Sequence, residues 1–181
     1  KQANITKKEN TVLVQNFVQE TIDENFKLVM IRPDKVALAK KLIDSQNSKV
    51  LIGTVIGFPE GTNTIEEKLA EAKQAIKDGA DELDFVVNFE AFKSGELELV
   101  KEEVLQGTKL GLQHHKTVKW IIEIAALNGA QIIQITSLIK NVVVANFKEK
   151  DFENVFVKSS TGFYKTFDGL PNGATFPAII A

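Results

Sequence analysis

The sequence predicts an α/β fold built on a parallel sheet. Five short apolar segments with β-favouring composition alternate with segments of helical periodicity along the 181 residues. Strands that alternate with helices form parallel sheets, and parallel strands are apolar almost without interruption because both of their faces are covered. Periodicity alone leaves two architectures open, an open parallel α/β sheet and part of an eight-stranded (βα)8 barrel. Ligands bind at the carboxyl ends of the strands in both.

The first quarter of the chain predicts a helix, a strand and a second helix. Residues 6–9 (T-K-K-E) fit a capping box, and the apolar residues that follow up to Ile22 have helical spacing. Residues 26–31 form a short apolar segment that predicts the first strand. Pro33 ends this strand and suits the first turn of the next helix.

The second strand and third helix flank a loop. Residues 49–56 predict the strand, and residues 57–61 (G-F-P-E-G) predict the loop because two glycines and a proline interrupt any regular element. Residues 64–67 (T-I-E-E) form another capping box. The helix that they begin is predicted to reach about Asp78, with Gly79 just beyond its carboxyl end.

The second half of the chain continues the alternation. Residues 82–88 and 117–123 predict the third and fourth strands, with a helix within residues 96–110 between them. Residues 131–144 are rich in Ile and Val, so their composition favours a strand, whereas their length and position favour a helix. Residues 152–157 predict a fifth, buried strand.

The composition excludes several classes of protein. With 44% hydrophobic and 25% charged residues, the chain has the composition of a globular domain rather than a disordered one. A net charge of −2 without a basic block argues against a nucleic-acid partner, and no apolar run reaches membrane-spanning length. The absence of cysteine excludes disulfides and thiolate sites. We therefore expect a cytoplasmic protein.

The chain offers no predicted metal site. His114 and His115 are adjacent, so they would not share a helix face, and no third ligand has a suitable spacing.

The strongest candidate for chemistry is Lys158, which directly follows the predicted fifth strand. Residues 156–163 (F-V-K-S-S-T-G-F) place hydroxyl groups and a glycine immediately after this lysine, and such a turn can hold an anion through its hydroxyl and N–H donors. On its own, the segment fits a lysine that reaches solvent at a surface turn better than it fits a site.

A carboxylate falls inside the predicted third strand. Side chains alternate along a strand, so Glu82 and Asp84 share one face, and on the next strand Lys119 and Glu123 do the same. A buried carboxylate needs a partner. An ion pair between Asp84 and Lys119 is one interpretation, and a pocket shared with Lys158 is the other.

Five segments together resemble one family in the same order along the chain. They are residues 54–64 (T-V-I-G-F-P-E-G-T-N-T), 79–84 (G-A-D-E-L-D), 92–95 (F-K-S-G), 119–123 (K-W-I-I-E) and 156–163. Over residues 26–181 the sequence resembles the deoxyribose-phosphate aldolases, which are class I aldolases that form a Schiff base.

The resemblance implies a TIM (βα)8 barrel, with residues 1–181 forming a single domain that is incomplete at both ends. It implies reversible cleavage of 2-deoxyribose 5-phosphate to acetaldehyde and glyceraldehyde 3-phosphate, in deoxyribonucleotide catabolism. Lys158 would form the Schiff base and Asp84 would relay protons, whereas Lys119, Thr161 and Gly162 would bind substrate. No metal or organic cofactor is implied, and the expected partners are the phosphorylated sugar and other copies in a homo-oligomer.

The match also has gaps. Only five of the eight βα units are present, so we expect these residues to be part of a longer product whose other strands carry a second lysine and the phosphate-binding loops. Met30, Arg32 and Ile124 stand where the family usually has a small or sulfur-containing residue, an uncharged residue and a threonine. Two alternatives therefore stay open: another Schiff-base aldolase, or a non-catalytic barrel that binds a phosphorylated sugar or a partner chain.

Overall fold

The computed structural model of the chain describes residues 7–167 and 169–180. Thr6 lies outside this part of the chain, and so does the predicted capping box that depends on it. The second predicted capping box is present. The Thr64 hydroxyl accepts the Glu67 N–H while the Glu67 carboxylate accepts the Thr64 N–H, and Gly79 (φ +105°) ends the helix in the left-handed conformation.

Five parallel strands form one sheet. They are β1 (Leu28–Ile31), β2 (Leu51–Ile56), β3 (Glu82–Val86), β4 (Thr117–Ile121) and β5 (Val155–Lys158). The order in the sheet is the order along the chain, and every neighbouring pair is parallel. A doubly wound sheet reverses its strand order at a switch point. The described strands have no reversal, so they form an arc of a barrel that is not closed between β1 and β5.

Seven helices accompany the strands in the described part of the chain. They are α1 (Lys7–Asp23), α2 (Val36–Ser45), α3 (Ile65–Asp78), α4 (Phe89–Lys93), α5 (Leu97–Gln113), α6 (Gly129–Asn146) and α7 (Phe176–Ile180). None of these described helices combines the length and the apolar character that a membrane crossing requires.

The structure corrects or resolves three sequence-based predictions. The ambiguous segment at 131–144 lies within helix α6, so length and position prevailed over its β-favouring composition. Helix α4 was not predicted, because one turn is too short to show periodicity. Strand β5 was expected to be buried, but Phe156 and Val157 are 48% and 41% exposed, since no further described strand lies beside it.

The hydrophobic core lies between the helices and one face of the sheet. Val29, Ile52, Leu83 and Trp120 point from their strands into this core, where they meet buried residues of the helices. We call this side of the sheet the helix face, and the opposite side the inward face, because it would face the barrel axis. Alternation along each strand therefore places Glu82, Asp84 and Lys119 on the inward face.

Trp120 fixes the position of helix α5 on the sheet. Its ring stacks on Phe85 with the centroids 4.9 Å apart, and its indole N–H donates to the Thr108 hydroxyl at 3.0 Å. A Cβ at Gly107 would lie 2.7 Å from the Trp120 ring, and one at Gly111 would lie 2.2 Å from Val118. Glycine at these two positions lets the helix approach the strand closely.

A buried ion pair connects the loop after β2 to the helix layer. Lys68 of α3 forms a hydrogen-bonded ion pair with Glu103 of α5 and also donates to the carbonyls of Gly61 (2.6 Å) and Val86 (2.8 Å). The other Glu103 oxygen accepts the Asn88 N–H at 2.9 Å. Both side chains are at least 97% buried. Burial lowers the pKa of Lys68 and raises the pKa of Glu103, although their mutual attraction opposes both shifts.

This pair predicts a large stability loss on truncation of one partner. Lys68→Met leaves Glu103 and two carbonyls buried without their partner, so the free energy of unfolding should fall by about 3–5 kcal/mol in urea denaturation. Lys73→Met, on the exposed side of the same helix, is the matched control and should change it by less than about 0.5 kcal/mol. Equal effects of the two substitutions would contradict a stabilising role for the buried pair.

Candidate active site

The register of three neighbouring strands assembles the polar cluster on the inward face. Asp84 of β3 lies directly beside Lys119 of β4, and Lys158 of β5 lies beside Ile121, two residues further along β4. Side chains two residues apart on a strand point to the same side. Lys158 therefore stands one inward-facing step nearer the carboxyl ends than Asp84 and Lys119.

Asp84 is the centre of this cluster. Its side chain is fully buried, and its Oδ2 accepts a hydrogen bond from Lys158 Nζ at 2.8 Å. Its Oδ1 lies 3.3 Å from Lys119 Nζ, which is an ion-pairing distance without hydrogen-bond geometry. Oδ1 thus has no hydrogen-bond partner among the described residues. The ion pair between Asp84 and Lys119 is present, and Asp84 also pairs with Lys158, whereas a pocket shared by Asp84 and Lys158 stays a prediction.

Lys119 contacts two carboxylates. It forms a close ion pair with Glu82 in addition to its contact with Asp84. Partial burial by itself lowers the pKa of Lys119, but the hydrogen bond to Glu82 and the charge of Asp84 outweigh burial, so the net pKa is raised. Lys119 therefore keeps its positive charge throughout the neutral range.

Lys158 is the amine that reaches a cavity at the carboxyl ends of the strands. This cavity measures about 190 Å³, and Lys158, Met30, Arg32, Phe58 and Thr161 are among its lining residues. Its lining is otherwise largely aliphatic and aromatic. An amine that is paired with a carboxylate on one side and open to a small apolar space on the other can meet a small carbonyl compound.

The loop after Lys158 is held by Glu123. The Thr161 N–H donates to Glu123 Oε2 at 3.1 Å, and the Thr161 hydroxyl donates to the same oxygen. The Phe163 N–H in turn donates to Thr161 Oγ1 at 3.0 Å. The hydrogen of the Thr161 hydroxyl is therefore committed to Glu123, so towards the cavity this hydroxyl can act only as an acceptor.

Glu123 occupies this position at a conformational cost. Its backbone is in the left-handed region (φ +51°), its side chain is 1% exposed, and its Oε1 has no hydrogen-bond partner among the described residues. Non-glycine residues rarely adopt positive φ values, and such strain is often found at functional sites.

The structure brings together four of the five predicted site residues. Lys119 and Lys158 each contact Asp84, and Thr161 lines the same cavity as Lys158. Gly162 follows at φ +76°, and its carbonyl accepts from the Asn172 amide at 2.8 Å, but it is not among the described residues that line the cavity. Its role in substrate binding stays a prediction.

The structure adds contacts that the sequence did not reveal. Glu123 was predicted to share a strand face with Lys119, but its link to Thr161 spans 38 residues and has no local signal. Arg32 stands at the carboxyl end of its predicted strand, where the sequence is compatible with a phosphate contact and equally with a surface role, and the structure places it on the cavity that Lys158 lines. In both cases the signal is a charged residue within two positions of the end of a parallel strand.

The arc of βα units defines the class, an α/β protein with the strand order of a partial barrel, and the cavity that Lys158 lines lies where that fold usually binds ligands. The sequence profile of the DeoC/LacD aldolases matches residues 3–166. The chain belongs to the DeoC/LacD aldolase family.

Individual relatives agree with this assignment. The chain is 39% identical over 150 residues to a deoxyribose-phosphate aldolase from Metamycoplasma hominis, an alignment that covers 83% of the chain and 63% of the relative. A Coccidioides immitis structure described as a candidate deoxyribose-phosphate aldolase superposes with a TM-score of 0.76 at 28% identity, covering 97% of this chain and 60% of that one. A tetrameric deoxyribose phosphate aldolase from Aeropyrum pernix superposes with a TM-score of 0.68 at 28% identity. This superposition covers 90% of this chain and 61% of that one.

The chain thus spans about three fifths of the length of these relatives. The described strands are those of a partial TIM barrel, as the resemblance implied.

The raised pKa of Lys119 predicts a pH-dependent contribution to stability. A group whose pKa is higher in the folded state contributes fully below its unfolded pKa, about 10.4 for lysine, and the contribution is lost as the pH rises through the folded pKa. The destabilisation by Lys119→Met, measured by urea unfolding, should therefore be constant between about pH 7 and 9 and shrink above about pH 10.5. Lys73→Met serves as the control without such a trend. A constant difference up to about pH 11.5 would contradict the shift.

Proposed function

We propose that this chain carries the Schiff-base chemistry of an aldolase that reversibly cleaves 2-deoxyribose 5-phosphate to acetaldehyde and glyceraldehyde 3-phosphate. One observation carries the proposal: Lys158 reaches a small cavity while its amine lies 2.8 Å from the buried carboxylate of Asp84. Family membership and relatives named deoxyribose-phosphate aldolases support the choice of substrate. Because the chain spans only part of those relatives, the activity and substrate of the whole protein belong to this proposal.

The reaction begins with attack of the neutral Lys158 amine on the aldehyde carbon of the open-chain sugar. Loss of water gives a protonated imine, which withdraws electrons from the bond between C2 and C3 of the sugar. The C3 hydroxyl loses its proton as this bond breaks, so C3 becomes the aldehyde of glyceraldehyde 3-phosphate. The enamine that remains takes up a proton at C2, and hydrolysis of the imine releases acetaldehyde and the free amine.

Asp84 is the proposed proton relay in these steps. It contacts the Lys158 amine through Oδ2, while its Oδ1 has no hydrogen-bond partner among the described residues. A carboxylate beside the imine can accept the proton of the C3 hydroxyl through a water molecule and return a proton to C2. Lys119, charged and 3.3 Å from Oδ1, is proposed to hold the Asp84 carboxylate in place.

The loop residues have a proposed role in binding. The Thr161 hydroxyl is available only as an acceptor, so it can receive a hydrogen bond from a sugar hydroxyl group. Gly162 lies beside it in the same loop and is proposed to help shape the substrate site.

The oligomeric assembly and the cellular setting of the protein are proposed by analogy with its relatives. A relative from Aeropyrum pernix is described as tetrameric, which supports a homo-oligomeric assembly for this protein. Catabolism of deoxyribonucleotides in the cytoplasm is the corresponding setting. No metal or organic cofactor enters the steps above.

Borohydride trapping tests the proposed Schiff base. The chain is incubated with acetaldehyde or deoxyribose 5-phosphate, reduced, digested and analysed by mass spectrometry. Reduction of an acetaldehyde imine adds an ethyl group, which should appear on Lys158 and be absent in Lys158→Ala. Lys140→Ala, an exposed lysine on α6, should leave the labelling of Lys158 unchanged. Labelling spread over surface lysines, with no preference for Lys158, would sink the proposal.

Exchange of the acetaldehyde methyl hydrogens in D₂O tests Asp84. The imine and enamine interconvert by proton transfer at this carbon, so Asp84→Asn should slow the exchange by about 10²–10⁴-fold. Asp44→Asn, which removes a carboxylate from an exposed ion pair with Lys40, is the matched control and should leave the rate unchanged. Circular dichroism and trapping at Lys158 show whether each variant is folded. A folded Asp84→Asn variant that exchanges within twofold of the unchanged chain excludes Asp84 as the relay.

A further inference from the structure

We propose that Arg32 makes the cavity beside Lys158 selective for small carbonyl compounds that carry an anionic group, either a phosphate or a carboxylate. The inference rests on the proposed function, because it assumes that Lys158 forms an imine with the carbonyl carbon. It goes further by assigning a specificity-determining residue to the site and by naming the chemical class of the compound that the cavity prefers.

The backbone brings Arg32 to the rim of the site. It directly follows β1 in an extended conformation (φ −68°, ψ 149°), just before Pro33 begins a short 3-10 helix. β1 and β5 run in the same direction, so Arg32 and Lys158 both lie at the carboxyl end of the sheet. Both side chains line the same cavity of about 190 Å³.

Aromatic side chains support the guanidinium group of Arg32. Its central carbon lies 5.0 Å from the centroid of the Phe58 ring, and Phe58 packs edge-to-face on Phe163 at 5.1 Å. A guanidinium that lies over an aromatic face is attracted by the ring, and its N–H groups at the edge stay available. Arg32 is thus positioned without using the donors that would bind an anion.

Arg32 differs from the other cations of the site in lacking an acidic partner. Lys158 pairs with Asp84, and Lys119 pairs with Glu82 and Asp84. Among the side chains of residues 10–167 and 169–180, no carboxylate lies within ion-pairing distance of Arg32. An anion that enters the cavity therefore does not have to displace a carboxylate of the described residues.

The chemistry of the cavity defines the compound. A planar guanidinium binds carboxylate and phosphate groups through two parallel hydrogen bonds. Met30, Val55 and Ile121 give the rest of the cavity an apolar lining, which suits a short carbon skeleton. The small volume suits a compound of a few carbon atoms. Its carbonyl carbon would meet Lys158 while its anionic group meets Arg32.

The test compares two aldehydes that differ by one phosphate group, glycolaldehyde and glycolaldehyde phosphate. For each, the concentration that gives half-maximal borohydride-trapped labelling of Lys158 is measured by mass spectrometry. In the unchanged chain, the half-maximal concentration of the phosphorylated aldehyde should be at least about tenfold lower than that of glycolaldehyde. This difference is expected for a charge-assisted bidentate contact. Arg32→Met should abolish this preference, so that the two aldehydes label Lys158 at half-maximal concentrations within twofold of each other.

Two further arms sharpen the comparison. Glyoxylate is an aldehyde that carries a carboxylate instead of a phosphate. If glyoxylate no longer labels Lys158 in Arg32→Met, Arg32 binds both kinds of anion. If the half-maximal concentration of glyoxylate is unchanged in Arg32→Met, the selectivity is restricted to phosphate. Lys165→Met removes an exposed cation that lines a separate cavity of about 410 Å³ nearby, and it should leave the preference intact.

The outcomes separate this inference from the proposed function. If glycolaldehyde does not label Lys158 in the unchanged chain, the proposed imine chemistry is wrong. If it does, but the phosphorylated aldehyde has no advantage or keeps its advantage in Arg32→Met, the role of Arg32 is overturned while the imine chemistry stands. Because Arg32 is exposed, the variant should fold, and its labelling by glycolaldehyde verifies this directly.

Discussion

The site depends on the register of three parallel strands. Asp84 lies beside Lys119, and Lys158 stands one inward-facing step nearer the carboxyl ends, so one carboxylate meets two amines from two different strands. A shift of one residue in either pairing would turn a charged side chain towards the hydrophobic core of the helix face. The apolar residues of β3 and β4, above all Phe85 and Trp120, oppose such a shift because they are fully packed against α5.

Apart from Glu123, the buried charges of the described residues belong to two separate groups. On the inward face, Glu82 and Asp84 balance Lys119 and Lys158, so the cluster holds as many carboxylates as amines. On the helix side, Lys68 and Glu103 neutralise each other and bind backbone groups of the loop after β2 and of the segment after β3. Burial of unpaired charges is costly. The second group therefore fixes the loop that carries Phe58, one wall of the cavity, without adding net charge.

Much of the fold was predictable because its signals are local. Alternating apolar strands and amphipathic helices indicated the parallel sheet, and the T-x-x-E capping box with its following glycine located α3. Strand alternation suggested that Asp84 meets Lys119 or Lys158, but alternation does not set how far along its strand each side chain lies, so the contact with both amines emerged only from the structure. The links from Lys68 to Glu103 and from Glu123 to Thr161 join residues 35 and 38 positions apart, and no pattern within one element reveals them. The exposure of β5 was also unpredictable, because it depends on what lies beside the strand.

The two amines beside Asp84 have different surroundings. Lys119 keeps its proton because Glu82 and Asp84 raise its pKa, and it does not line the cavity of about 190 Å³. Lys158 shares Asp84 and lines that cavity, so it is the amine that we propose to meet the carbonyl compound. In the proposed reaction, Lys119 holds the Asp84 carboxylate beside Lys158, and a carboxylate in this position stabilises a cationic imine. The same carboxylate would move the proton that interconverts imine and enamine, which makes Asp84 the proposed link between binding and chemistry.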